Sequence, residues 1–120
     1  MGLAVGLAAM TLFVPTTSAQ SLSDKGLALS REHCARCHVI EAANRFSGIA
    51  STPSFPMLVR ALKDWRERFE TFHARLPHPS VIRIDGIAPP SNAPATTRLV
   101  YLKPEDIDAF VAYAETLRPQ

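Results

Sequence analysis

Residues 34–38 carry the side chains with the clearest chemistry in this 120-residue sequence. They read Cys-Ala-Arg-Cys-His, so Cys34 and Cys37 lie three positions apart and His38 follows directly. Two thiols at this spacing can each add to one vinyl group of the same haem, and the adjacent imidazole is then held beneath the iron. The run therefore predicts one covalent haem c, attached through Cys34 and Cys37, with His38 as an iron ligand.

Three other kinds of site also use closely spaced cysteines. A thioredoxin-like redox pair lies where a strand meets a helix, in an α/β pattern that this sequence lacks. A structural zinc site usually takes four ligands in two close pairs, and the chain has only two cysteines. A disulfide between Cys34 and Cys37 would close too short a loop to stabilise the domain much. Haem attachment is the interpretation that we favour over these alternatives.

Composition and charge limit the remaining function classes. The chain has 13 basic and 11 acidic residues, a net charge of +2, and a hydrophobic fraction of 47%. This length and composition indicate a single small globular domain. Nucleic-acid binding is not expected, because it calls for a dense basic stripe rather than a mild excess.

The N-terminal residues predict an export signal. Residues 1–14 form an apolar run that has the length of a signal-peptide core, shorter than the roughly 18 residues of a spanning helix. Pro15 ends this run. No Lys or Arg precedes it, and a buried N-terminal helix is the alternative interpretation.

Small residues at positions 17–19 then provide the pattern that signal peptidase cleaves. We predict a signal peptide over residues 1–19 and cleavage before Gln20. The mature domain would comprise residues 20–120 without a membrane span. The location predicted for it is the periplasm, an oxidising compartment.

The periodicity of apolar residues predicts helices joined by irregular segments. A first helix is expected over Leu22–His38, with Ser23 as its N-cap. A short helix follows over Ser54–Leu62, and an amphipathic helix over Trp65–Leu76. The last helix opens at Lys103 with a proline and two acidic residues in its first turn.

A long proline-rich loop, residues 77–97, separates the third and last predicted helices. Val81–Ile84 and Arg98–Leu102 each alternate weakly between apolar and polar residues. The two runs predict a small β-hairpin around this loop.

The chain resembles the class I c-type cytochromes over its whole predicted mature length. Gly26 and Leu29 precede Cys34 by eight and five residues, an arrangement similar to that family's first helix. Tyr113 and Leu117 resemble residues of its terminal helix. The Cys-x-x-Cys-His run is the most specific part of this resemblance.

Two further segments, Thr52–Phe55 and Pro77–Pro79, are similar to segments of short bacterial monohaem cytochromes. The resemblance implies an all-α cytochrome c fold, with three to four helices around one covalently attached haem and a long proline-rich loop before the last helix. It implies that the first and last helices cross at Gly26, whose missing side chain allows a close approach. It also implies that the Pro53 carbonyl accepts a hydrogen bond from His38.

The sixth iron ligand is the point where the sequence departs from that family. Class I cytochromes take a methionine from the loop before the last helix, but the only methionine after His38 is Met57, which precedes that loop. Val81 stands near the usual methionine position. His78 is then the strong ligand in the loop, and we predict His38 and His78 as the iron ligands. Met57, His73 and an open or water-bound iron are the alternatives.

The function that the resemblance implies is one-electron transfer between redox protein partners. With two axial ligands, the iron changes charge without losing a ligand, so little reorganises at each transfer. The alternatives are a haem sensor or small redox enzyme with an open or displaceable sixth ligand, and the cytochrome subunit of a larger oxidoreductase. We expect an electron carrier rather than an enzyme.

Overall fold

The structure, a computed structural model, describes residues 17–90 and 98–120. Residues 1–16 of the predicted signal peptide and residues 91–97 of the proline-rich loop lie outside the described residues. The described chain is mainly helical with one small sheet, which confirms the predominantly helical part of the prediction. In chain order its elements are α1 (Thr17–His33), α2 (Phe55–Ala61), α3 (Trp65–Glu70), β1 (Ile82–Ile84), β2 (Val100–Leu102) and α4 (Pro104–Thr116), with short 3-10 turns at Ala42–Asn44, Phe72–Ala74 and His78–Ser80.

The predicted limits of the first helix are wrong at both ends. α1 already begins at Thr17, because no helix-breaking residue lies between Pro15 and Ser23. Ser23 is therefore a buried residue inside the helix and not its N-cap. α1 ends at His33, because the backbone turns at the cysteine motif.

Among the described residues, no helix is both long and apolar enough to cross a membrane.

The predicted third helix is also shorter than expected. α3 ends at Glu70, and a separate 3-10 turn covers Phe72–Ala74. Both the N–H and the side-chain hydroxyl of Thr71 donate to the Glu67 carbonyl oxygen, at 2.9 and 2.7 Å. A hydroxyl that bonds back to the helix in this way competes with regular helix geometry. By contrast, α2 begins as predicted, with the Ser54 hydroxyl accepting from the Met57 N–H.

α1 and α4 make the most extensive contact between two elements of the described chain. They cross at Gly26, which is buried against Ala109 and Tyr113. A Cβ at Gly26 would overlap the carbonyl oxygen of Ala109 and lie 2.9 Å from Tyr113 Cβ. The Tyr113 hydroxyl then donates to the Ile40 carbonyl oxygen at 3.0 Å, which ties α4 to the loop after the cysteine motif. The predicted close crossing at Gly26 is confirmed.

We expect Gly26→Ala to lower the free energy of unfolding by about 2 kcal/mol. The added methyl group meets backbone atoms of α4, which cannot rotate away, and this outweighs the higher helix propensity of alanine. Urea unfolding followed by circular dichroism measures the difference. Ala28→Gly, an exposed change on the same helix, isolates the propensity term, which is about 1 kcal/mol. An unchanged midpoint for Gly26→Ala would contradict the close crossing.

The small sheet is parallel, so the predicted hairpin is wrong. Ile82 pairs with Val100 and Ile84 with Leu102, in parallel register. The segment between the two strands is long enough for the chain to return to the start of β1, as a parallel pair requires. Ile84 also forms an isolated antiparallel bridge with Ile87, three residues further along the chain.

One apolar core joins the helices and the sheet. α2, α3, α4 and both strands contribute buried side chains to it. The buried core residues are Ile40, Phe55, Val59, Phe69, Ile82, Ile84, Leu102, Phe110, Val111, Tyr113 and Ala114.

Asp106 joins the first turn of α4 to α1. Its Oδ2 accepts from the Lys103 N–H at 2.9 Å, and its Oδ1 lies 2.7 Å from Lys25 Nζ. Burial opposes ionisation of this carboxyl group, but the hydrogen bonds from Lys25 and the Lys103 N–H outweigh it. The pKa of Asp106 therefore lies below its usual value.

We expect Asp106→Asn to reduce the free energy of unfolding by about 1 kcal/mol at neutral pH. The amide oxygen can still accept from Lys103, but the charge that faces Lys25 is lost. Because the folded-state pKa is lowered, the carboxylate stabilises the fold above about pH 4 and loses this effect as the pH falls through the folded-state value. Urea unfolding of both proteins at neutral pH and below about pH 3 tests this. A difference of the same size at both pH values would contradict it.

Candidate functional site

The Cys-Ala-Arg-Cys-His run forms a tight turn directly after α1. The N–H groups of Cys34 and Ala35 donate to the Ser30 carbonyl oxygen at 2.9 and 3.0 Å. Those of Cys37 and His38 donate to the Cys34 carbonyl oxygen at 3.0 and 2.9 Å. The two thiols and the imidazole are therefore carried by one compact stretch of backbone. A group bound at three points would need its ligands this close together.

Both cysteines are free thiols, so no disulfide joins them. Cys37 is exposed and Cys34 is partly buried. Burial, together with the neighbouring Cys37, raises the pKa of Cys34 to about 12. A redox nucleophile acts as a thiolate and needs a lowered pKa. The environment of Cys34 therefore does not favour a thiol redox centre.

His38 is oriented by a backbone carbonyl group. Its Nδ1 lies 2.7 Å from the Pro53 carbonyl oxygen, and this confirms the predicted contact. A carbonyl oxygen only accepts, so Nδ1 must donate. Nε2 of the neutral ring is then the unprotonated nitrogen that can bind a metal. A hydrogen bond of this kind fixes the ring and raises its strength as a ligand.

The loop between His38 and Pro53 folds back against the cysteine turn. The Ile49 N–H donates to the Cys37 carbonyl oxygen at 2.9 Å. Gly48 has a φ of +76°, and a Cβ there would lie 2.9 Å from the same oxygen. Glycine suits this position because it accepts a positive φ and has no side chain to collide with the turn. This return of the chain helps to place the Pro53 carbonyl beside His38.

His78 reaches the same region from the beginning of the proline-rich loop. Its Nδ1 lies 2.9 Å from the Arg75 carbonyl oxygen, so this nitrogen also donates. Burial lowers the pKa of His78; the hydrogen bond to Arg75 opposes this effect, and the charges of His38 and His73 add to it. The ring is therefore neutral at neutral pH, with Nε2 as its unprotonated nitrogen.

The rings of His38 and His78 lie parallel to each other. Their centroids are 6.0 Å apart and their planes differ by 5°. With metal–nitrogen bonds of about 2 Å on both sides, two imidazoles that bind one metal from opposite directions have centroids about 6 Å apart. The separation and the two Nδ1 contacts therefore fit a metal ion held between these histidines.

Aromatic side chains surround the histidine pair. The ring centroid of Phe55 is 5.3 Å from that of His38, and the centroid of Phe72 is 5.6 Å from that of His78. Phe55 also contacts Phe69 edge to face at 4.9 Å. An apolar shell of this kind limits access of water to a metal and adjusts its reduction potential.

The other predicted iron ligands have different surroundings. Met57, on α2, exposes 51% of its surface. His73 is partly buried, and its Nδ1 is buried without a hydrogen-bond partner among the described residues. In residues 17–90 and 98–120, no three His, Cys, Asp or Glu side chains are grouped to hold a metal ion. The structure thus pairs His38 with His78, next to Cys34 and Cys37, and leaves Met57 at the surface.

Sequence reasoning missed two residues that position the pair. Arg75 contributes through its carbonyl oxygen, which no side-chain pattern can reveal. Phe72 lies within the predicted amphipathic helix Trp65–Leu76, which gave it no role at the site, whereas its ring contacts His78. The spacing of Phe72 from the Pro-His-Pro segment is a signal that could have indicated this contact.

The chain matches no family model, no curated protein and no solved structure. Its relation to the class I cytochromes therefore remains a resemblance carried by the cysteine motif and short flanking segments. A function for the chain has to be inferred from the residues and distances of the site.

Proposed function

We propose that the chain is a periplasmic monohaem cytochrome c that carries single electrons between redox proteins. The parallel pair of His38 and His78 is the observation that carries this proposal. The pair lies next to two free thiols, Cys34 and Cys37, on the turn that bears His38. This combination fits haem c better than it fits a zinc ion or a thiol redox centre.

Each residue of the site has a defined role in this proposal. Cys34 and Cys37 would hold the haem through two thioether bonds, and His38 and His78 would bind the iron through their Nε2 atoms. When bound, the haem supplies reversible one-electron chemistry between Fe(III) and Fe(II). Two imidazole ligands favour a lower reduction potential than an imidazole and a thioether.

The backbone contacts of the two histidines suit electron transfer. The Pro53 and Arg75 carbonyl oxygens each hold an Nδ1 proton, so neither ring can rotate or change tautomer without losing a hydrogen bond. Ligands that stay in place keep the reorganisation at each transfer small. Phe55 and Phe72 add apolar contacts that limit the entry of water.

Export is part of the proposal, although the residues concerned are mostly outside the described chain. The apolar run and the small residues at positions 17–19 support cleavage before Gln20. N-terminal sequencing of the haem-loaded protein should begin at or near Gln20. Recovery of an intact Met1 on that protein would point to an uncleaved anchor instead.

The test is periplasmic expression together with the cellular machinery that attaches haem. Denaturing gel electrophoresis should give a haem-stained band, and the absorption bands of the reduced protein should change only slowly after addition of CO. A stained protein whose bands shift rapidly with CO would support the sensor or enzyme alternative. Absence of haem from the folded chain would overturn the cytochrome proposal.

A further inference from the structure

Arg83, in the middle of β1, directs its guanidinium group to backbone oxygens. Its Nη1 donates to the carbonyl oxygen of Pro79 and, at 2.8 Å, to that of Ile82. Both contacts are partly buried. In each contact the donor is charged, and hydrogen bonds from charged donors are stronger than those between neutral groups.

Pro79 is the central residue of the 3-10 turn that begins with His78, and it is buried. The contact from Arg83 therefore anchors the segment that carries the proposed sixth ligand. β2 anchors the end of the same segment, because the Val100 N–H donates to the Val81 carbonyl oxygen at 2.8 Å. We refer to Arg83 and the β1–β2 pair together as the brace.

The turn has few hydrogen bonds of its own. The Ser80 N–H donates to the Pro77 carbonyl oxygen at 3.0 Å, and the Val81 N–H donates to that of His78 at 2.9 Å. Pro77 and Pro79 have no N–H to contribute. A short 3-10 turn is weak by itself, so its position depends on contacts from outside.

We propose that Arg83 is a positioning residue whose contact with Pro79 keeps the His78 ring beside the His38 ring. The inference rests on the proposed cytochrome function and extends it to the control of the sixth ligand. The small parallel sheet, which the sequence suggested only as a hairpin, then has a role at the site. Without the brace, the His78 turn can move away, and the sixth position opens more often.

The rate at which CO binds to the reduced holoprotein measures this opening, because in a six-coordinate protein CO could bind only after His78 had left the iron. Arg83→Leu removes the donor and retains an apolar side chain. We expect it to increase the CO binding rate about tenfold, the effect of losing one hydrogen bond from a charged donor. Arg83→Gln, which is shorter and uncharged, should fall between Arg83→Leu and the wild type.

Two further variants make the experiment specific. Asp106→Asn lowers stability at α4 without touching the brace, so its CO binding rate should equal that of the wild type. His78→Ala gives the rate for a site that is always open. Equal rates for the wild type and both Arg83 variants would overturn the brace, as would an equal acceleration by Asp106→Asn.

The same measurements distinguish an error in the proposed role of Arg83 from an error in the proposed cytochrome function. A wild-type protein that binds CO slowly, with Arg83 variants that do the same, contradicts only the brace. A wild-type protein that binds CO as fast as His78→Ala contradicts the six-coordinate cytochrome, and the brace with it. If Arg83→Leu does not give folded holoprotein, Arg83→Gln decides: acceleration supports the brace, and the wild-type rate overturns it.

Discussion

Replacing Cys34 and Cys37 together by alanine is expected to abolish haem staining completely after denaturing electrophoresis. Each thiol adds across one vinyl group of the haem, so without sulfur no covalent bond survives denaturation. The variant should also lose most of its helical circular dichroism, because the haem would form a large part of a small core. Periplasmic expression, haem staining and circular dichroism measure these effects.

Arg36→Ala is the matched control for this experiment. Arg36 lies between the two cysteines and is exposed, so its replacement leaves both thiols and His38 in place. This variant should stain as strongly as the wild type. Haem that stays attached to the double cysteine variant after denaturation would contradict covalent attachment through Cys34 and Cys37.

The second large effect is expected at His78. His78→Ala should turn a six-coordinate protein that binds CO only slowly into one that binds it at once, with a clear shift of the absorption bands of the reduced form. The reason is that the His78 ring lies parallel to the His38 ring, with the centroids 6.0 Å apart, and would supply the second imidazole nitrogen to the iron. Absorption spectra recorded with and without CO test this, and potentiometry of the wild type should give a potential below that of a His/Met cytochrome.

Met57→Leu is the control for the ligand assignment. The change nearly conserves volume, so it should cost less than about 1.5 kcal/mol of stability and leave the spectrum unchanged. If Met57→Leu altered the spectrum while His78→Ala did not, Met57 would be the ligand. If neither replacement had an effect, the sixth position would be open and the sensor or enzyme interpretation would be the better one.

The parts of the site that are adjacent in sequence could be predicted because their geometry is local. Cys34, Cys37 and His38 occupy a single turn, whatever the rest of the chain does. The close crossing at Gly26 and the contact from Pro53 were expected from the family resemblance, and the structure contains both. The haem itself stays a prediction.

The features that sequence reasoning got wrong depend on contacts between distant residues or on competing local hydrogen bonds. Ile82 and Val100 are both strand-forming, but their composition does not say whether the strands run parallel. The end of α3 depends on the hydroxyl of Thr71 bonding back to Glu67. The pairing of His38 with His78 was expected, but the centroid separation of 6.0 Å could not be predicted, because the two carbonyl groups that orient the rings have no signature in the side-chain pattern.

The unequal exposure of the two thiols has a consequence for biogenesis. Cys37 is at the surface, whereas Cys34 is partly covered and packs against the core. If haem is attached, the bond to Cys34 would form most readily before the core closes over that thiol, while Cys37 would remain within reach of an enzyme afterwards. A chain exported from its N-terminus delivers the cysteine motif well before α4. The time between export of the cysteine motif and export of α4 is then the period in which the attachment machinery can act on Cys34.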